Sequence, residues 1–130
     1  MSLKINNIHH IAIICSDYRR SLHFYTSVLG FEVLQETYRE ARCSYKADLA
    51  LNGTYCIELF SFPNPPQRLS YPEATGLRHL AFEVNDVATA QQDLHTHLVA
   101  TEPIRLDELT GKKFFFINDP DGLPIEFYEK

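Results

Sequence analysis

His9-His10-Ile11-Ala12-Ile13-Ile14-Cys15-Ser16-Asp17 is answered further along the chain by Arg78-His79-Leu80-Ala81-Phe82-Glu83-Val84-Asn85-Asp86. In each stretch a histidine, His10 or His79, stands seven residues before an aspartate, Asp17 or Asp86, across an apolar run. Each copy closes on a strand-like segment that carries a glutamate: residues 54–62 hold Glu58 and residues 123–130 hold Glu126. The separations nearly match, 48 residues from His10 to Glu58 and 47 from His79 to Glu126. Folding alone gives no reason for one ligand-type side chain in each of these apolar strands. A duplicated module that gathers two imidazoles and two carboxylates around one divalent metal does.

Working outward, residues 9–15 are β-branched and apolar, with His10, Ala12 and Ile14 on one face and Ile11, Ile13 and Cys15 on the other. Ser16 and Asp17 are helix-capping types and Gly30 is a stop, and Tyr18, Leu22, Tyr25 and Leu29 form one apolar stripe between them. Strands are expected at residues 31–38, 44–51 and 54–62, the last two joined by the hairpin signal Asn52-Gly53. Four of the seven prolines (Pro63, Pro65, Pro66, Pro72) mark residues 63–76 as a linker. The second copy repeats the order. Asp86 caps a helix with the stripe Val87, Ala90, Leu94 and Leu98, and strands follow near residues 102–106, 113–119 and 124–129. Asp119-Pro120-Asp121-Gly122 is a tight turn. The expected fold is α+β, two tandem βαβββ modules forming curved, mostly antiparallel sheets around a metal-binding cleft. The modules span about residues 5–62 and 77–130 of one 130-residue domain.

Composition narrows the function. A formal charge of −5 argues against nucleic acid or an anionic membrane as partner, and 45% hydrophobic residues suffice for a core. No apolar run approaches the roughly 20 residues that span a bilayer, and the N-terminus lacks a secretory pattern. Cys15, Cys43 and Cys56 are odd in number and lack CxxC spacing, so they read as reduced, mostly buried thiols of a cytoplasmic protein. Glu58 and Glu126 share strand faces with apolar side chains, and a bound cation would offset their desolvation.

The stretch HIAIICSDYRRSLHFYTSVLGF, residues 10–31, resembles the first module of glyoxalase I and its relatives in the vicinal oxygen chelate (glyoxalase/bleomycin resistance/dioxygenase) superfamily. NDPDGLPIEFYE, residues 118–129, resembles the end of their second module, and the likeness covers essentially the whole chain. It implies a metal held by His10, Glu58, His79 and Glu126, with Glu126 as catalytic base and Glu58 as its counterpart. The family pattern prefers valine or isoleucine where Cys15 stands and glycine or histidine where Arg78 stands. The basic residues that hold glutathione in glyoxalase I have no match here.

A first shell of two imidazoles and two carboxylates suits zinc or nickel, with cobalt, manganese or iron as further options. Such an ion polarises two adjacent oxygens of a small substrate while a carboxylate moves a proton between neighbouring carbons. The expected activity is a glyoxalase I-type lyase or isomerase. The alternatives are a non-haem iron ring-cleaving dioxygenase, a non-catalytic drug- or metabolite-binding resistance protein and, as a minor variant, an antibiotic-inactivating thiol transferase. Arg39, Arg42, Lys46, Lys112 and Lys113 are candidate anion holders. Phe60, Phe82, Tyr45 and Phe115 are candidate cleft aromatics, and His95 and His97 are read as surface. A homodimer is expected, and whether the two histidine–glutamate pairs meet within one chain or across it stays open.

Overall fold

The structure, a computed structural model, describes residues 1–130 throughout. The chain divides into two compact units, Met1–Pro66 and Gln67–Lys130. The first contains β1 (Ile11–Cys15), α1 (Tyr18–His23), a π-helical turn (Phe24–Val28), β2 (Glu32–Arg39), a 3₁₀ turn (Glu40–Arg42), β3 (Ser44–Leu51) and β4 (Thr54–Ser61). The second contains β5 (Leu80–Val84), α2 (Val87–Thr96), β6 (Arg105–Leu106), β7 (Lys113–Asn118) and β8 (Pro124–Glu129). Their four-stranded sheets have equivalent orders, β1-β4-β3-β2 and β5-β8-β7-β6. In each, the outer strand that opens the module runs parallel to the strand that closes it, and the remaining pairs are antiparallel. Each module is therefore the expected βαβββ unit.

Register places the ligand-type residues. Ala12 pairs with Glu58, and Ala81 pairs with Glu126. His10 and His79 lie two residues before those alanines, so alternation sets each histidine on the face of its glutamate. The small alanines leave that face open. The opposite face is the core: Ile13, Cys15, Ala47, Leu49, Ile57 and Leu59 in the first module, and Leu80, Phe115, Ile117, Ile125 and Phe127 in the second, all under 9% exposed. The helices complete those cores with Tyr18 and Tyr25 from the first segment and Val87 and Leu94 from α2.

Both helices start as expected. Asp17 accepts from the backbone N–H of Arg20, and Asp86 accepts from those of Ala88 and Thr89, which holds the Asp86 carboxyl below its usual pKa. The first helix does not stay α-helical to Gly30. The Thr26 hydroxyl donates to the Leu22 carbonyl at 2.7 Å, and Leu29 N–H reaches back five residues to Phe24. This widened turn rotates the stripe, so Phe24 is buried while Leu22 and Leu29 are only half-buried. Gly30 then closes the segment at φ 86°, with Phe31 N–H bonded to Tyr25 O. Leu98 departs further from expectation. It is 93% exposed, because α2 ends at Thr96 and Leu98 takes the left-handed position beyond it at φ 61°. The strand expected at residues 102–106 forms ladder pairs only at Arg105 and Leu106, since Pro103 has no N–H to contribute.

Asn52 and Gly53 both have positive φ, 51° and 82°, as a two-residue primed hairpin turn requires. A Cβ at Gly53 would meet open space, so only backbone strain opposes substitution. Gly53→Val is expected to lower stability by about 1–2 kcal/mol, read as a reduced urea midpoint with unchanged slope. No helix is long and apolar enough to cross a membrane. Cys15, Cys43 and Cys56 form no disulfide, but Cys43 is exposed and Cys56 only half-buried, so the thiols are less buried than expected.

Candidate metal centre

The four sequence-predicted ligands come together as two pairs of matching geometry. His10 Nε2 lies 3.5 Å from Glu58 Oε1, and His79 Nε2 lies 3.5 Å from Glu126 Oε1. That separation is too long for a good N–H···O hydrogen bond. It is the span of two ligands each about 2.1 Å from one ion, at an angle a little above tetrahedral. One imidazole nitrogen and one carboxylate oxygen per pair also suit a divalent ion chemically. No three side chains of His, Cys, Asp or Glu type form a single cluster.

In the first module a polar network orients the pair. The Nδ1 atoms of His9 and His10 are 2.8 Å apart and share a hydrogen bond, which leaves His10 Nε2 toward Glu58. The Tyr55 ring stacks on His10 with centroids 5.3 Å apart, and its hydroxyl donates to Asp48. Burial, then the Asp48 and Glu58 carboxylates, push the Tyr55 pKa up to about 12, so it stays a donor. Lys46 Nζ sits 3.2 Å from Asp48 and 3.3 Å from Glu58 Oε2, and these carboxylates raise the lysine's pKa above its ordinary value. One Glu58 oxygen therefore faces an ammonium and the other faces His10.

The second module differs where register puts Phe116 in place of Asp48. Phe116 is the Cα partner of Glu126 on β7, as Asp48 is the partner of Glu58 on β3. The Phe116 ring meets His79 edge-on at 5.0 Å. No ammonium lies against Glu126; its one ion-pair contact is His79. A cavity of about 660 Å³ opens beside His79, lined in part by Tyr71, Arg78, Glu102, Arg105 and Phe116. The turn before β8 is locked by Asp119, whose Oδ1 accepts from the N–H groups of Asp121 and Leu123, both at 2.9 Å.

The structure sorts the other candidates. Of the aromatics, Phe60 alone shares the face of its glutamate. Phe115 is fully buried in the core, Phe82 pairs with Phe127 on the helix side, and Tyr45 stacks on Tyr18 at 4.7 Å. Among the cations, Lys46 is engaged as described and Lys112 donates to the Lys130 carbonyl at 2.7 Å. His95 and His97 are exposed. Phe116, Arg105, Asp48 and Tyr55 escaped the sequence reading. The β3–β4 and β7–β8 registers would have revealed Asp48 and Phe116.

Comparison with known proteins agrees with the fold. The chain is 63% identical over 126 residues to the Uncharacterized protein YwkD of Bacillus subtilis (strain 168), covering 97% of this chain and 98% of that protein. The crystal structure of a glyoxalase family protein from Enterococcus faecalis superposes with a TM-score of 0.89 at 46% identity, covering 95% of this chain and 97% of that one. More distantly, the 2-epi-5-epi-valiolone epimerase of an Actinomyces species is 26% identical, covering 92% of this chain and 76% of that enzyme. Residues 7–127 match the Glyoxalase/Bleomycin resistance protein/Dioxygenase superfamily, and the chain belongs to that family.

Proposed function

We propose that His10, Glu58, His79 and Glu126 ligate one divalent ion, zinc or nickel, and that the protein is a metal-dependent lyase or isomerase of glyoxalase I type. The observation that carries this reading is the repeated 3.5 Å separation between imidazole and carboxylate, unexplained by hydrogen bonding in either module. When bound, the ion supplies Lewis-acid polarisation of two adjacent oxygens on a small substrate. The remaining chemistry belongs to the side chains. Glu126 takes a proton from the carbon next to a carbonyl at Oε2, the oxygen turned from His79, and returns it to the neighbouring carbon. Glu58 is less available as a base, because its Oε2 is already engaged by the Lys46 ammonium at 3.3 Å. His9 fixes His10 through Nδ1, and Phe116 holds the His79 ring.

The cavity beside His79 supports a small polar substrate, and the likeness to an epimerase supports proton transfer as the reaction type. The protein works as a homodimer in a reducing cytoplasm, which suits three cysteines that form no disulfide. Elemental analysis of protein purified without added metal tests the reading. Zinc or nickel near one ion per chain, with turnover of a hemithioacetal or 2-hydroxycarbonyl compound, is the expected outcome. Ferrous iron with oxygen-dependent turnover would make the protein a dioxygenase instead. Absence of any metal would leave a binding protein.

A further inference from the structure

The sheet face that carries Glu58 continues past the proposed metal ligands. Phe60 and Phe62 follow Glu58 by two and four residues, so alternation keeps them on its face about 7 and 13 Å further along. Their rings stack with centroids 5.7 Å apart. Arg39, at the end of β2, lies across the small, fully buried Ser44 and donates to its hydroxyl at 3.3 Å. Its guanidinium thereby rests 4.9 Å over Phe60 and 5.7 Å from the Phe62 centroid. Arg42 comes over the same Phe62 ring at 5.2 Å.

Two cations thus share one aromatic platform, and neither forms an ion pair. Arg39 Nε is also shielded from solvent with no acceptor. The second module offers a contrast, an arginine seated over aromatics of its neighbouring strand β7 but neutralised. Arg105 stands 5.0 Å over Phe114 and 5.8 Å from Phe116, but Glu102 lies 3.1 Å from its guanidinium. The two guanidiniums lie 5.7 and 5.2 Å from one ring centroid, so their charges are at most 10.9 Å apart, and an anion shared between them offsets their repulsion. In the first module the chain supplies none.

We propose that Arg39 and Arg42, seated on Phe60 and Phe62, form an anion subsite that receives a carboxylate or phosphoryl group of the substrate. The reacting oxygens of that substrate then lie at the His10–Glu58 pair. The identity of the ligand as substrate rests on the function proposed above; the subsite itself does not. Guanidinium forks match either oxyanion with paired hydrogen bonds, and the phenyl faces hold the forks in place. The substrate class becomes a small molecule with vicinal oxygens at one end and an anionic group about 7–13 Å away.

Metal-free full-length protein is titrated with inorganic phosphate and, separately, with acetate at constant ionic strength, while the Nε–Hε NMR resonances of Arg39 and Arg42 are followed. Both resonances are expected to shift saturably with at least one of the anions, and the tighter of the two identifies the group. In Arg42→Met protein, the Arg39 resonance should need about tenfold more anion for half-saturation. Arg42 is exposed, so this substitution leaves the fold intact. Shifts that never saturate, that sodium chloride reproduces, or that are unchanged in the variant would overturn the subsite. Saturable phosphate binding in a protein that takes up no divalent ion would keep the subsite and remove the metal-dependent function. Metal uptake without saturable shifts would do the reverse.

Discussion

Replacing His79 with alanine should weaken zinc or nickel binding by on the order of 100-fold. A four-ligand zinc site contributes roughly 10–16 kcal/mol, so one ligand carries about 3 kcal/mol. The side chain is 32% exposed and not part of the core, so folding should survive. Calorimetric titration of the stripped protein, with circular dichroism to verify the fold, checks this. His10→Ala should behave alike if both pairs serve one ion. A loss confined to one of the two variants would mean that only one module holds metal. Lys46→Met supplies a test of opposite sign. Its ammonium lies 3.3 Å from Glu58 Oε2 and disfavours a second cation at that carboxylate, so its removal should tighten metal binding several-fold. Weaker binding in Lys46→Met would show that the lysine chiefly orients Glu58.

The contrast between these residues also marks how far sequence carries. Strand parity is a local property, so the shared face of His10 and Ala12, and of His79 and Ala81, could be read directly. The repeat implied that both modules pair alike, and the structure gives that pairing as Ala12 with Glu58 and Ala81 with Glu126. Asn52-Gly53 was legible for a similar reason: few sequences other than this dipeptide tolerate positive φ at both corners. Lys46 appeared as a free cation until register brought it beside Glu58 and Asp48. Phe115 and Phe116 are equally apolar, and only the pairing of Phe116 with Glu126 shows which of them faces His79. Arg39 reaches Phe60 across an intervening strand because Ser44 is small, a contact made by tertiary geometry alone. Leu98 fits the helical period but falls one turn too late, past the left-handed cap that ends α2.

Glu126→Gln is expected to reduce turnover by at least about 10²–10³-fold, within the range that a positioned general base contributes, while lowering metal affinity much less. The amide keeps the size of the carboxylate and one ligating oxygen, but it cannot accept a proton from carbon. The matching substitution in the first module should divide differently. Glu58 shares its second oxygen with Lys46, so it is poorly placed to take up a proton, and Glu58→Gln should cost more in metal retention than in chemistry per bound ion. Exchange of a substrate C–H for deuterium from solvent isolates the step, because it reports proton abstraction whether or not product is released. Loss of exchange in Glu126→Gln with metal still bound would assign the base to the second module. Equal loss of metal and exchange would make Glu126 a ligand only. Exchange retained in Glu126→Gln but lost in Glu58→Gln would move the base to the first module, with Lys46 then holding its carboxylate in place.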